Sequence, residues 1–547
     1  MTHPEAEMNN SILMAVLTVL LLSAPSVEAK IVTVSKNGAI NSIQAGIDAA
    51  AANDIVLIKS GRYQENLVVG AALTGLKIKG EGNVILDARP VGGLGAGPGI
   101  TVAAMNVSIS NLTIRNAYPI DQTLGFAISG TADGLNVKNV TLHQNYYGIE
   151  AEGDNVVISG CHLYHNGSPV EIYGGNCTIE FNTIRNCRLD GIRVTGDGAT
   201  IRKNKISFIE DGAGIHVVQG ANAAVTKNKI DTTNYTGIEI TGDGAAASDN
   251  KLRRIREGVV LIGHDATVKN NEITSCKRVG VDVFGDSAKV HTNTLTCAGV
   301  EEVTNVGGIK IEGANASVKK NLVSDVLGKG ISIIGDLANV NNNTVTGTNW
   351  GESVRVSGDM PVITDNKLSR AINDNTVLRV EDATSGGTID GNSIYDSMDG
   401  GLRVSSSSNN LIISNNVVRN CGCRYEAGFE IHGTGHVLTG NTARGNRGDG
   451  FYIRASNASL NKNTAQNNGI DGFDIHDNTT DSVTLTNNKA LGNGAEGIEN
   501  NGTNSIIDNN TSMGNRTDFA TDGSEMSFSG NVIKDGSDQT TLPEFDQ

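Results

Sequence analysis

From about Gly148 to Ile533 the chain repeats one short pattern. GIRVTGDGATIRKNKI (191–206), GIEITGDGAAASDNKL (237–252), GVVLIGHDATVKNNEI (258–273), GISIIGDLANVNNNTV (330–345) and GFEIHGTGHVLTGNTA (428–443) are five copies. The template is Gly, apolar, x, apolar, x, Gly, a small polar turn, then Asn-x-apolar. Copies beginning at Gly191, Gly214, Gly237, Gly258 and Gly280 give a step of 21 to 23 residues. A unit that small cannot bury a face alone, so neighbours must stack.

Each Gly-apolar-x-apolar-x stretch alternates with period two, the pattern of a short strand with one buried face. About 20 residues with fixed Gly and Asn suit one coil of three short strands and three turns. Stacked coils pair strand on strand in parallel, about 4.8 Å apart. The expected fold is a single-stranded right-handed parallel β-helix, an all-β solenoid, its hand following the usual chirality of such connections.

Two ladders set the register. Asn182, Asn204, Asn228, Asn250, Asn271, Asn293, Asn321, Asn343, Asn366, Asn392, Asn416, Asn441, Asn463 and Asn488 each lie two residues before an apolar residue or Ala. A buried amide has two donors and two acceptor sites, so a stack of them satisfies turn backbone and bonds coil to coil. Phe429, Phe451 and Phe473, at steps of 22, occupy the inward slot of the first strand and should stack in the core.

The expected organisation is a secretory signal over 1–29, an N-terminal cap and first coil over 30–70, β-helix over 71–535, and a polar tail over 536–547. Ile12 to Leu22 is a short apolar run and Val27-Glu28-Ala29 offers a cleavage site, which points to export to the periplasm, the cell surface or the medium, with no membrane span in the mature chain. Asn41 to Ala52, with Ile43 and Ile47 at helical spacing, fits an amphipathic helical cap over the open sheet edge, and Asp54 to Val69 then starts the coil. The net charge of −16 argues against nucleic acid as the main partner. Seven cysteines at irregular spacing are no disulfide framework. Cys161 sits in a ladder-Asn position and reads as a small buried filler, Cys276 and Cys297 fall in similar parts of adjacent coils and can pair, and Cys421-x-Cys423 has no partner pair for a metal.

SIQAGIDAAAANDIVLIKSGRYQENLVV (42–69), KIKGEGNVILDA (77–88) and SISNLTIRNA (108–117) resemble the opening of pectate-lyase-like right-handed β-helix proteins. That group holds polysaccharide lyases, hydrolases, C5-epimerases and periplasmic repeat proteins of the copper-site maturation type. The resemblance covers nearly the whole mature chain and implies the fold, while leaving the chemistry to the outward residues.

The x positions of the first strand form an outward column: Glu150, Glu171, Arg193, His216, Glu239, Val260, Asp282, Lys310, Ser332, Arg355, Arg379, Arg403, Glu430, Tyr452, Asp474 and Glu499. A parallel column two residues on includes Tyr173, Glu381, His432, Arg454 and His476. Arg355, Arg379 and Arg403 on successive coils either pair with Glu381, Asp382 or Asp399, or bind carboxylates of a uronate polymer lying along the axis, with Glu430 at the end of that run. Beyond them His432, Tyr452, Arg454, Asp474, His476 and Asp477 cluster, with Asp449 and Asp471 at strand starts. His and Tyr are the groups that remove or return a proton at C5 of a uronate, and Arg454 can neutralise its carboxylate.

DGFDIHDNT (471–479) is similar to the Asp-Pro-His-Asp/Glu motif of alginate C5-epimerases, which implies catalytic-site roles for Asp474 and His476 and a final acid at Asp477. Ile475 replaces the Pro, and Asp471 stands where that motif has Tyr, a role Tyr452 can take from one coil back. A third group, Glu171, Arg193, His216 and Glu239, with Glu150, Tyr146, Tyr147 and Tyr173 nearby, offers a carboxylate pair for glycoside hydrolysis. The columns show no clear calcium site, so no metal is assigned, although calcium is compatible with the family.

Two functions remain. One is an exported monomeric enzyme acting on an acidic glycan by β-elimination or C5 epimerisation. The other is a non-catalytic β-helix that binds a glycan or an envelope partner. Scarce aromatics and a single Trp, Trp350, favour the second.

Overall fold

The computed structural model describes residues 28–89, 98–118, 125–297, 307–372, 376–422 and 426–534. Residues 1–27 of the signal expected over 1–29, Cys423 and the tail expected over 536–547 lie outside the described residues.

The chain winds into about 22 turns of solenoid, with 59 described strands whose pairings are all parallel, coil on coil. Each coil contributes to three strand stacks. The coil from Ile192 shows the order: Ile192–Thr195 on the first sheet, Thr200–Arg202 on the second, Lys205–Ile209 on the third. Inward Val, Ile, Leu and Ala from all three close-pack into one continuous core. A Cβ at Gly191 would lie 2.6 Å from the Gly214 carbonyl oxygen, so the template glycine is required by the close approach of successive coils.

The ladder explains why the second turn recurs so regularly. The residue before each ladder Asn takes the left-handed conformation, with φ of 57° at Phe181, 56° at Lys203 and 55° at Thr292. That costs about 1–2 kcal/mol per L-residue, and the asparagine offsets it. Asn271 donates its backbone N–H to Asn293 Oδ1 at 2.9 Å, its Nδ2 to Ala247 O at 2.9 Å and to the same Oδ1 at 3.0 Å, while its own Oδ1 accepts from Asn250. The stack runs on through Asn510 to Asn531. It begins at Cys161, fully buried, whose N–H donates to Asn182 Oδ1 at 2.8 Å. A second set of buried asparagines, Asn446, Asn468, Asn493 and Asn515, bonds in the same way at the turn entering the first sheet. The rings of Phe429, Phe451 and Phe473 stack with centroids 4.6 and 4.8 Å apart.

A six-residue helix, Ile43–Asp48, buries Ile43 and Ile47 and is N-capped by Ser42, whose Oγ accepts from the Ala45 N–H at 3.2 Å. The coil starts earlier than the sequence suggested. Ile31–Val34 precedes the helix and pairs in register with Ile55–Ile58. Cys276 and Cys297 form a disulfide with Cα atoms 4.7 Å apart. Cys161, Cys177, Cys187 and Cys421 are free and buried, and burial pushes each thiol up, to about 11 or 12, so they are inert fillers. Among the described residues no helix is long and apolar enough to cross a membrane.

Candidate functional site

The outward column of the first sheet is in register as the sequence places it. Glu150 pairs with Glu171, Glu171 with Arg193, Arg193 with His216, and His216 with Glu239. Further on, Arg355 pairs with Arg379, Arg379 with Arg403, Arg403 with Glu430, Glu430 with Tyr452, Tyr452 with Asp474 and Asp474 with Glu499.

The arginine run is neutralised from within the chain. Arg355 donates to Glu381 through Nε at 2.9 Å and Nη2 at 2.6 Å. Arg379 also contacts Glu381 and lies 3.7 Å from Glu352, which is buried. Arg403 lies 3.5 Å from Glu430. Asp382 instead accepts from Ser357 Oγ at 2.7 Å. Three guanidiniums thus face three carboxylates.

At the end of that run the predicted cluster comes together. His432 Nε2 lies 2.8 Å from Glu430 Oε1. Burial pushes the Glu430 carboxyl up, but the His432 hydrogen bond and the Arg403 charge outweigh it and hold it below its usual value. The Tyr452 ring lies 4.6 Å from that of His476 and 6.1 Å from that of His432, centroid to centroid. Arg454 pairs with Asp477 at 3.1 Å, and His476 Nδ1 lies 3.4 Å from Asp474 Oδ2.

Beneath these sit more buried acids than the columns alone suggest. Asp471 Oδ1 accepts from the Glu496 N–H at 2.7 Å, and Asp449 Oδ1 from the Asp471 N–H at 3.0 Å. One carboxylate oxygen each of Asp471, Asp474 and Glu499 lies within 4.8 Å of the others. Asp474 is 7% exposed, and its Oδ1 has no hydrogen-bond partner. Burial first, and then the charges of Asp449, Glu499, Asp477 and Glu496, push its carboxyl up to about 8. Asp471 is raised for the same first reason, and Asp449 is pushed up to about 6. Burial and these charges therefore favour the protonated, acid form of Asp474. Three oxygen donors of this kind also suit a hard divalent cation. Such an ion requires Asp474 ionised, so it competes with the proton.

The third predicted group lines a cleft of about 370 Å³ with Ser168, Tyr235 and Thr236. Its centre is a residue the sequence reading left out. Asp190 Oδ2 lies 3.0 Å from His216 Nδ1 and 3.4 Å from Arg193 Nη1, and its Oδ1 accepts from the Ala213 N–H at 2.7 Å. Burial alone would raise the Asp190 carboxyl, but the His216 and Ala213 hydrogen bonds outweigh it and hold it low. His216 Nε2 then faces Glu239 Oε1 at 3.9 Å. Glu171 lies 3.7 Å from Arg193 and accepts from Tyr173 Oη at 2.6 Å.

Asp190, Glu352, Asp449, Asp471 and Glu496 share one sequence slot, immediately before the template Gly or its Ser or Gly equivalent. Strict alternation points that slot inward. The chain bends at Gly191, Gly450 and Gly472, and the acidic side chains ahead of those bends reach the outward groups. An acid directly before the template glycine is the signal that finds them.

Fold and repeat together define a right-handed β-solenoid with a polar outward face on its first sheet. The chain belongs to the family described as right handed beta helix region, which matches residues 98–244, 147–295, 307–453 and 427–541. Solved structures of similar shape include DFA-IIIase from Arthrobacter chlorophenolicus A6 in complex with DFA-III, at 13% identity and a TM-score of 0.42, covering 53% of this chain and 94% of that one. A PL6 family polysaccharide lyase from Pseudopedobacter saltans (13%, TM-score 0.31, 62% and 84%) and a family 28 exopolygalacturonase from Yersinia enterocolitica (13%, TM-score 0.33, 60% and 76%) are others. These likenesses concern overall shape alone. No curated protein sequence matches the chain.

Proposed function

We propose that the chain is a polysaccharide-active enzyme whose acid–base chemistry sits at Asp474. The observation that carries this is the buried carboxyl of Asp474, with one oxygen lacking a hydrogen-bond partner and a second carboxylate, Glu499, within 4.8 Å, in surroundings that favour its acid form. Cleavage of a glycosidic bond needs that combination: an acid to protonate the leaving oxygen and a carboxylate to act on the sugar or on water. Tyr452 and His476 flank the acid, and Arg454 is held by Asp477. The carboxylates of Asp449, Glu496 and Glu499, the same charges that raise Asp474, disfavour an anionic sugar at the reacting position, so hydrolysis of a neutral unit is the favoured reaction.

β-Elimination or C5 epimerisation of a uronate is the second reading, and the cleft at His216 supports it best. There Asp190 holds Nδ1 of the ring, so that Nε2, which faces Glu239 at 3.9 Å, can act as a base, and Arg193, now paired with Asp190 and Glu171, can turn to a substrate carboxylate. Incubation with neutral β- and α-glucans, pectate and polymannuronate, with calcium or a chelator, separates the cases. New reducing ends from a neutral glycan, lost in Asp474→Asn, support hydrolysis. Unsaturated ends or solvent deuterium at C5, lost in His216→Ala but kept in Asp474→Asn, move the chemistry to the cleft. No turnover of any of them returns the chain to a binding role.

Export belongs to the same reading. It is supported by the apolar run Ile12 to Leu22 and by the Cys276–Cys297 disulfide, which suits an oxidising compartment. The helix Ile43–Asp48 is read as the cover of the N-terminal coil.

A further inference from the structure

Near its N-terminal end the third sheet carries a different arrangement of charge. Asp87 is fully buried. It accepts from Arg62 Nη2 at 2.8 Å, Arg115 Nε at 3.2 Å, Arg89 Nε and Nη2 at 3.2 Å each, the Arg89 N–H at 3.3 Å and Asn116 Nδ2 at 3.1 Å. Burial would push its carboxyl up, but these donors outweigh it and hold it far below the usual range.

One carboxylate compensates one guanidinium, so three leave two positive charges in excess. A single Arg would satisfy the buried Asp, and each further one adds like-charge repulsion. Each guanidinium has five N–H donors, and the side-chain bonds to Asp87 take one from Arg62, one from Arg115 and two from Arg89. Arg62 and Arg89 keep 53% and 57% of their side chains exposed. The donors are therefore fixed in place and still open to solvent.

The positive face continues along the axis. Arg115 pairs in register with His143, His143 with Tyr164, and Tyr164 with Arg185. His143 stacks on Tyr164 at 5.0 Å, and the Arg185 guanidinium lies 5.4 Å from the same ring. None of these four outward residues is acidic, on a chain whose net charge is −16.

The geometry points to an oxyanion-binding site in which Arg62, Arg89 and Arg115, held around Asp87, grip a carboxylate or sulfate of an anionic glycan lying along His143, Tyr164 and Arg185. Bidentate guanidinium contacts suit both groups. Because the three donors are pre-positioned by Asp87, little ordering entropy is lost on binding.

Calorimetric titration of the full chain tests this with inorganic sulfate, an oligogalacturonate, a heparin-derived oligosaccharide and a neutral malto-oligosaccharide. The anionic ligands should bind, more weakly as salt rises, and the neutral one should not. Arg62→Ala and Arg89→Ala should each weaken binding about tenfold, the loss of one charge-assisted hydrogen bond. Arg185→Ala should weaken the oligosaccharides and leave sulfate unchanged. Melting curves check folding, and Arg89→Lys, which keeps the charge and loses the fork, should also bind more weakly. Absence of anion binding, equal binding of the neutral sugar, or an Arg62→Ala/Arg89→Ala double variant that binds like wild type would overturn the proposal. Sulfate binding without the oligosaccharides would overturn the glycan assignment. The readout is binding without turnover, so it stands apart from the chemistry at Asp474.

Discussion

Asp474 lies on the first-sheet strand Phe473–Ile475 and His476 directly after its end, with a carboxylate oxygen of the first 3.4 Å from Nδ1 of the second. Only Ile475 separates them, yet burial and neighbouring carboxylates push the aspartate up to about 8 while the histidine side chain stays 40% exposed.

Activity that depends on the Asp474 proton should fall on the alkaline side, with a limb near pH 8. Asp474→Asn should abolish turnover by at least about a hundredfold, the low end for a general acid. Initial rates across pH for both chains check this. An alkaline limb unchanged in a still active variant would assign the titration to another group.

The same carboxyl should make the fold alkali-sensitive. Its pKa rises from an ordinary value near 4 in the unfolded chain to about 8 in the fold. The folded state therefore binds the proton more tightly, a contribution fully present below about pH 4 and lost as pH rises through about 8. Asp474→Asn removes the need for that proton, so the variant should melt higher than wild type above pH 8 and show a smaller difference at pH 5.

Asn271→Ala should destabilise the chain by about 1–3 kcal/mol, because the Ala247 carbonyl and the Asn250 amide lose buried partners. Urea unfolding measures it. A neutral effect there and at Asn366 would contradict the ladder.

Arg379→Ala should cost about 3 kcal/mol, because Glu352, buried at 3% exposure, loses its cation. The double variant Arg379→Ala/Glu352→Gln should recover much of that loss. Thermal melts of the two chains make the comparison.

Reduction of the Cys276–Cys297 bond should lower stability by about 3 kcal/mol, as expected for opening a loop of this size. Cys276→Ser should reproduce the effect without reductant.

The repeat made the solenoid and its outward columns legible because period-two alternation and a step of about 22 residues leave one register. Every pairing from Arg355 to Glu499 follows from it. The fourteen ladder asparagines were readable for the same reason, whereas Asn446, Asn468, Asn493 and Asn515 sit where most other coils vary. Alternation failed one residue ahead of the template glycine. There the chain bends, and the half-buried carboxyl of Asp190 and the buried ones of Glu352, Asp449 and Asp471 turn toward side chains of the outward columns. The buried partner of Arg379, Glu352, and two of the carboxylates that raise Asp474, Asp449 and Glu496, all come from that slot. The three guanidiniums around Asp87 were hidden because Arg62, Arg89 and Arg115 belong to early coils that depart from the template.

The asparagine stack has a direction. In the asparagine-to-asparagine bonds each residue donates toward the C-terminal coil and accepts from the N-terminal one, so every coil presents the same connector at its top and the complementary one at its bottom. A coil removed or added whole leaves all connectors mated, while a single-residue slip leaves none. The span between the arginine grip at Asp87 and the acid at Asp474 is therefore counted in coils, and it can be lengthened or shortened only in increments of about 4.8 Å. An engineer who deletes one complete coil between them obtains a ruler shorter by one division, with both ends unchanged.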